Sequence, residues 1–565
     1  MSATSKPPNW PKNIKVHQRE YRNWSQTIDI AQLWTCEPAD ANEVTLLCNW
    51  AKDQKWTIRP KGRRHGWSPL TVIEGTPSLS NVLILDTTKN LTGMTFIPRT
   101  STAPPMVQVQ TGATMDALLA FLQQQAGGQG QAPGYSFPHT PAPGDLTIGG
   151  VLAIDAHGTA IPSPPTQNSP DNFPASYGSL SNHVMAFTAM VSDPTTGEYA
   201  PRTFQRGDAD APVFLAHVGR AFLIDVTLQV IDNYNLRCQS FMNISADTLF
   251  QAPTGPSPAQ NSLDYFLVAS GRVEAIWYPF STNPWLKVWT VTPTQPAGSK
   301  LTTEPYNYAF SDNLPSWITS VLKAVMSGIP SLTPDLERLF AKFTSDELGK
   351  NGLSDLWGAS RNTLLYIKPE TLRVTANGYA VQTRRADVQQ AVHDFTTQFT
   401  SMLNDYKTND KYPVNSPLEI RVTALDDTAK VYAPPGTTAK SPLISALSYD
   451  GLAQKNGWDV AVWLDVLTLP GTKHSDEFYT ELEAWLLKRF TPPQARVFPE
   501  WSKGWAYTAT NGAWSNIDFL AMIRQNFTVD RDSSDNWNRE VATLKSYDRS
   551  NLFTNSFLET LFTPV

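Results

Sequence analysis

Polar and apolar positions along this chain fall into two alternating periods. Ala41–Lys52 and Ala113–Gln125 carry apolar residues at helical spacing, and each predicts an amphipathic helix. Between them, Lys55–Arg59 reads as a short strand stopped by Pro60 and Gly62. Val82–Asp86 reads as a buried strand, and Val107–Gln110 alternates with a period of two. Further on, Glu274–Tyr278, Leu286–Val291, Leu418–Val422 and Val460–Leu464 predict strands of one sheet. Ala386–Tyr406 and Ser475–Phe490 predict long helices over it, and the stretch from about Asn511 returns to short helical pieces. The β, α, β order of the first 235 residues points to α/β or α+β layers, with a large helix-covered sheet in the middle section.

Composition narrows the class. With 565 residues the chain exceeds one ordinary domain. Charged residues are 17% and hydrophobic residues 41%, which excludes a disordered or highly charged fibrous protein. The net charge of −6 is spread without long runs, so no basic stripe suits a nucleic-acid duplex. The 18 Trp, 18 Tyr and 25 Phe supply apolar surface for a core and for a ligand pocket. The 44 prolines cluster at Pro162–Pro174, Pro253–Pro258, Pro293–Pro305 and Pro434–Pro442, as in ordered loops and crossings. Cys36, Cys48 and Cys238 are too few and too irregular for a disulfide scaffold or a zinc cage, and read as buried thiols. No apolar run approaches the roughly 20 residues that cross a bilayer. The opening MSATSKPPNWPKN lacks the pattern of a signal peptide, so the chain is expected to be soluble, although a trimmed leader would leave no trace.

Three segments of the first half carry candidate chemistry. Arg59-Pro-Lys-Gly-Arg-Arg-His-Gly-Trp-Ser68 is a glycine-punctuated basic turn directly after a strand. Its cations and free backbone N–H groups form a nest suited to phosphate, and His65 adds a nucleophilic imidazole; the bland alternative is a solvated basic turn. Pro141–Gly158 holds the Gly149–Gly150 pair and ends in His157–Gly158, where glycines permit close backbone approach to a ligand. Ser176–His183 is another small-residue loop, followed by the strand-like Val184–Val191. No His-x-x-x-His or Cys-x-x-Cys suggests a metal, no Gly-x-Ser-x-Gly suggests a serine hydrolase, and a Rossmann Gly-x-Gly-x-x-Gly is missing after the first strand. His139, His157, His183 and His217 lie in or near these segments, whereas His17, His393 and His474 read as surface positions.

In this order and at these distances, Arg63-Arg-His-Gly66, Leu83-Ile-Leu-Asp86, Pro143-Gly-Asp-Leu-Thr-Ile-Gly-Gly150 and Tyr177-Gly178 resemble the flavin domain of the vanillyl-alcohol-oxidase family. Downstream, Gly271–Phe280, Glu304–Pro315, Leu418–Arg421, Trp458–Leu464 and Pro499–Trp505 resemble the class II, covalent-FAD cholesterol oxidases, and the likeness runs from about Pro8 to Phe562. The resemblance implies an α+β flavoprotein of two domains. A PCMH-type FAD-binding domain would take 1–235 with 510–565, and a substrate domain on a large, mainly antiparallel sheet covered by helices would take 236–509.

The same resemblance implies FAD held covalently through His65. Its cofactor-binding residues would be Pro60, Lys61, Gly62, Arg63, Arg64, Gly66, Trp67, Ser68 and Asp86 in the first half of the site. In the second half they would be Pro143, Gly144, Thr147, Ile148, Gly149, Gly150, His157, Gly158, Tyr177 and Gly178. Glu274, Glu419 and Arg421 fall where the family places charged groups beside the flavin, with a Glu–Arg pair gating oxygen. Lys503 falls at the pyrimidine end, and Asp465 stands where the family has Asn, which adds a negative charge. Physics bears on part of this: Glu419 and Arg421, at i and i+2 of a predicted strand, share a face and can hold a fixed geometry, or form only a surface ion pair. Glu274 opens an apolar strand and is expected at its edge or in an apolar cavity, where its pKa would rise.

The implied activity is oxidation of a 3β-hydroxysterol to the ketone with dioxygen reduced to hydrogen peroxide, followed by Δ5 to Δ4 isomerisation, with either Glu as base. The implied protein is a monomer, secreted or periplasmic by resemblance with a cytoplasmic place left open by the missing signal pattern, that touches membrane surfaces transiently to extract sterol. Two rivals remain open at this stage: oxidation or dehydrogenation of a sugar, alditol or aromatic alcohol on the same scaffold, and a non-catalytic sterol- or lipid-binding protein.

Overall fold

The computed structural model describes residues 6–163, 176–306, 316–350, 352–365 and 372–565. The proline cluster Pro162–Pro174 and the segment Glu304–Pro315 therefore lie largely outside the described residues. The first part of the chain builds two sheets. Strands β1 (His17–Arg22), β2 (Asp29–Cys36), β3 (Thr57–Lys61) and β4 (Val82–Asp86) form a sheet in the order β1-β2-β4-β3. β4 is parallel to both its neighbours, and its Leu83, Ile84 and Leu85 are buried, which is why that run has no polar alternation. The helix Ala41–Gln54 connects β2 to β3. It starts because the Asp40 side chain accepts from the backbone N–H groups of Asn42 and Glu43, and it ends where Lys55 turns left-handed at φ 57°.

The second sheet contains β5 (Met94–Ile97) and β6 (Met106–Gln110). β7 (Tyr135–Ser136) pairs elsewhere, and then come β8 (Val184–Ser192), β9 (Tyr199–Gln205) and β10 (Leu223–Gln229). Its order is β5-β6-β10-β8-β9, antiparallel throughout. After the short β11 (Ile231–Asp232), which pairs with β7, the chain enters a nine-stranded sheet. Its strands are β12 (Asn235–Phe241), β13 (Val273–Trp277), β14 (Trp285–Val291), β15 (Lys300–Leu301), β16 (Asp355–Ala359), β17 (Thr375–Thr383), β18 (Leu418–Ala424), β19 (Val460–Thr468) and β20 (Ala495–Pro499). They run in the order β15-β16-β12-β14-β13-β18-β19-β17-β20, and β15/β16 is the one parallel contact among these named pairings. The helix Val388–Thr408 covers the sheet with a face of Val388, Val392, Phe395, Phe399 and Leu403, all at three- or four-residue spacing.

The C-terminal residues pack back onto the N-terminal sheets. The Ile58 N–H donates to Leu552 O at 2.8 Å, and Leu552 and Phe553 join the core formed by Trp34, Trp50 and Trp56. The turn after β3 is pinned from the same side. Trp67 N–H donates to Ser502 O (2.8 Å), Ser68 Oγ to Trp501 O (2.6 Å) and Asn555 Nδ2 to Pro69 O (2.9 Å).

Candidate functional site

Two cavities meet at the basic turn. The smaller, about 160 Å³, is walled by Arg59 through Gly66, by Ser68, and by Thr147, Gly149, Gly150 and His217. The larger, about 480 Å³, has apolar walls from the nine-stranded sheet and the helix Thr333–Lys350, among them Ile276, Tyr278, Trp285, Phe340 and Leu467. His65, Gly66, Leu146 and Ile154 border both. The His65 ring lies nearly parallel to Trp24, 6.0 Å between centroids. Its Nε2 lies 3.0 Å from an Asp145 carboxylate oxygen. A carboxylate can only accept here, so Nε2 carries a hydrogen. Burial pushes the Asp145 carboxyl up, but the bond from His65 outweighs it and leaves the group below its ordinary value.

On the wall of the larger cavity, the register of four strands gathers a set of charges. Glu274 on β13 stands opposite Arg421 on β18 and opposite Lys287 on β14, and Glu419 stands opposite Asp465 on β19. Directly opposed residues share a sheet face, so these side chains converge. Arg421 forks among three carboxylates: Nε donates to Glu274 Oε1 at 2.8 Å, Nη1 to Asp465 Oδ2 at 2.7 Å, and Nη2 to Glu419 Oε2. Lys287 Nζ donates to the other Glu274 oxygen at 3.1 Å. Lys503 Nζ lies 3.7 Å from Asp465 and 3.9 Å from Glu500, and 4.5 Å from the centre of the Trp67 ring.

This geometry corrects one expectation. Glu274 is buried, and burial alone would raise its pKa. Lys287 and Arg421 overcome that and hold it at about 2, because the strand next to β13 brings a cation the sequence did not pair with it. The raised carboxyls are instead Glu419, where burial outweighs Arg421, and Asp465, which burial and then Glu500 push up to about 6. Arg421 is held firmly charged against its own burial by the carboxylates around it.

The other sequence-derived residues divide. Pro60, Lys61, Gly62, Arg63, Arg64, Ser68, Thr147, Gly149 and Gly150 border the smaller cavity; Trp67, Pro143, His157 and Gly158 border the larger. Asp86, Gly144, Ile148, Tyr177 and Gly178 border neither, and each has a structural task. Asp86 binds Lys61 Nζ at 2.5 Å, the Gly144 carbonyl accepts from Asp116 N–H, and Ile148 and Tyr177 are core. Gly178 has φ +98°, and a Cβ there would stand 2.2 Å from Asp426 Oδ1, which also receives the Ser179 N–H. Gly178→Ala should therefore cost at least about 1–3 kcal/mol of stability, read as a lowered denaturation midpoint with an unchanged m-value.

His157 stacks on Trp463 at 3.7 Å and 3°, and burial lowers it to about 3, so it is neutral at pH 7. His183 and His217 are lowered by burial to about 3 as well, and His139 is lowered too. His393, expected at the surface, is half-buried and hydrogen-bonded to Phe250 O. Sequence reasoning missed Asp145, Lys287 and Glu500. Asp145 was hidden in the variable positions of a glycine motif, and Lys287 and Glu500 were invisible without strand pairing.

Residues 235–563 match the family described as "Cholesterol oxidase, substrate-binding", and residues 34–166 match the family "FAD binding domain". A solved solvent-stable cholesterol oxidase is 42% identical, with a TM-score of 0.91 over 99% of this chain and 100% of its own. A cholesterol oxidase from B. sterolicum is 36% identical, with a TM-score of 0.91 over 100% of both chains. Berberine bridge enzyme from Eschscholzia californica shares the fold alone, at 12% identity and a TM-score of 0.52 over 94% of this chain and 90% of its own. A search of curated protein sequences found no match.

Proposed function

The chain belongs to the cholesterol oxidase family, and from that premise we propose that it oxidises a 3β-hydroxysterol with FAD. The observation that carries this reading is the larger cavity itself: about 480 Å³ with apolar walls, lined also by Glu274, Glu419 and Arg421 and bordered by His65. Burial of an apolar ring system supplies binding at about 25 cal/mol per Å² before the costs of association.

The residues of the smaller cavity fit FAD. The basic turn meets the Gly149–Gly150 segment there, Gly66 has open space where a Cβ would stand, and the Arg59 Nη1 is buried without a hydrogen-bond partner. Arg59, Arg63, Arg64 and the glycine backbone would hold the phosphates, and His65, with Nε2 tied to Asp145, would be the covalent tether. When bound, FAD supplies the two-electron acceptor and passes the electrons to dioxygen, giving hydrogen peroxide.

In this reading Arg421 holds the substrate oxygen as negative charge develops on it. Glu419 takes the hydroxyl proton in this reading. Its pKa is raised and its side chain is 19% exposed, whereas Glu274, held near 2, is too weak a base and serves as an anchor for Arg421. Lys503, raised by Asp465 and Glu500 against its burial, contributes a fixed positive charge. Isomerisation of the Δ5 ketone needs a carboxyl that takes and returns a proton, and Glu419 suits that as well. The division into 1–235 with 510–565 and 236–509 belongs to this reading and is supported by the return of Leu552 and Phe553 to the N-terminal core. So do secretion, a monomeric state and transient contact with membrane surfaces; no helix among the described residues is long and apolar enough to cross a membrane.

The test is peroxide production by the purified protein with a 3β-hydroxysterol, set against alditols, sugars and aromatic alcohols. The sterol should give the highest kcat/KM by far. Preference for a polyol would overturn the substrate assignment, and a colourless, inactive protein would overturn the enzyme reading in favour of a carrier.

A further inference from the structure

Behind Lys503, we propose that Asp465 and Glu500 share a single proton, and that this proton sets how much positive charge Lys503 and Arg421 present to the cavity. The Asp465 side chain is 0% exposed. Its Oδ2 is taken by Arg421 Nη1 and faces Lys503 Nζ, but Oδ1 is buried and meets no N–H or O–H. Glu500 repeats the pattern: Oε1 accepts from Ser502 Oγ at 3.2 Å and faces Lys503 Nζ, while Oε2 is buried and meets no donor. The two carboxyls are nevertheless within hydrogen-bonding contact of each other. Two buried acceptors in contact repel unless one carries a hydrogen, which turns the pair into an O–H···O⁻ bond.

The charge count of the surroundings agrees. Lys287 from β14, Arg421 from β18 and Lys503 from the turn after β20 face Glu274 from β13, Glu419 from β18, Asp465 from β19 and Glu500 from that same turn. Three cations meet four carboxyls, and one proton makes the buried set neutral. His157, stacked on the neighbouring Trp463, is neutral at pH 7 and does not alter the count. Glu274 is satisfied by two cations, and Glu419, 19% exposed, is bonded to Arg421; Asp465, 0% exposed, and the donorless Oε2 of Glu500, whose side chain is 13% exposed, are left to hold the proton.

Asp465 is raised to about 6, so it holds the proton below that pH and loses it above. With the proton in place, Lys503 faces one net negative charge; without it, two carboxylates neutralise Lys503 and part of Arg421. Asp465 and Glu500 are thus positioning residues for the two cations.

The test uses the holoenzyme and the variants Asp465→Asn and Glu500→Gln. Asn keeps the shape of a protonated Asp and donates N–H where Asp donates O–H, so the first variant locks the pair in its protonated form. Infrared difference spectra taken as the pH rises through about 6 should show the wild type losing one carboxylic-acid C=O band more than either variant, since Asp426, also raised to about 6, contributes equally to all three. In parallel, kcat/KM of the wild type should change through the same pH, and Asp465→Asn should lose that change. A wild type that loses no more than the two variants overturns the shared proton. A lost band with an unchanged pH profile in Asp465→Asn overturns its control of the cations. The charge-control half rests on the sterol-oxidase reading, but the band does not. An enzyme inactive on sterols that still loses the band would sink that reading and leave the shared proton standing.

Discussion

Arg421→Ala should lower kcat on a 3β-hydroxysterol by roughly 10² to 10³ while leaving KM within a few-fold of wild type, on the scale of one lost charge stabiliser at about 2–4 kcal/mol. The split follows from what the guanidinium does: it matters most when charge appears on the substrate oxygen, and little for burial of the rings. Arg421→Lys should restore little. Three separate nitrogens of the fork bind three separate carboxylates, and a lysine has one charged nitrogen to spread among them. The Ala variant also leaves Glu274, Glu419 and Asp465 without their common partner, so its stability must be measured beside its rate. A folded Arg421→Ala protein with near wild-type kcat would show that the cluster is scaffolding and that the reaction takes place elsewhere.

The second large effect is expected at His65. After denaturation and precipitation in acid, wild-type protein should retain yellow colour in the pellet, and His65→Ala should release all of it to the supernatant. The variant should still bind FAD, because the basic turn and the Gly149–Gly150 segment are untouched, but with a much lower turnover from the loss of a fixed, electron-withdrawing attachment. Asp145→Ala gives the intermediate case. It frees Nε2, so the hydrogen no longer has one preferred nitrogen, and the fraction of tethered cofactor should fall. Colour found wholly in the wild-type supernatant would rule the bond out.

What could be read without coordinates follows from the range of the interaction involved. Glu419 and Arg421 on one face needed only the two-residue period of a strand, and the helices Ala41–Gln54 and Val388–Thr408 needed only their own apolar spacing. No strand was predicted over β17, whose Asn377–Gly378 pair is a turn-type dipeptide. In the structure Gly378 lies mid-strand, since a Cβ there would come 2.6 Å from Asp465 Oδ1 and 2.7 Å from Lys503 Cγ. The glycine makes room for the charged cluster, a reason that lies 87 residues and more away along the chain (465 − 378). The wrong direction predicted for Glu274 has the same root. Its burial was legible in the apolar run that follows it, but Lys287 reaches it only through the register of β13 with β14. Interactions within one element were legible, and those set by strand pairing were not.

The turn that carries His65 acquires its shape from residues made hundreds of positions later: Trp501 and Ser502 hold Trp67 and Ser68, and Asn555 holds Pro69. On a ribosome adding roughly 5–20 residues each second, those partners emerge about 20 to 100 seconds after the turn itself. Throughout that interval the basic loop lacks these C-terminal contacts, and the β3 edge waits for Leu552. Cofactor capture is thereby deferred to the close of synthesis. A nascent chain stalled before residue 500 should not take up flavin, whereas the released chain should.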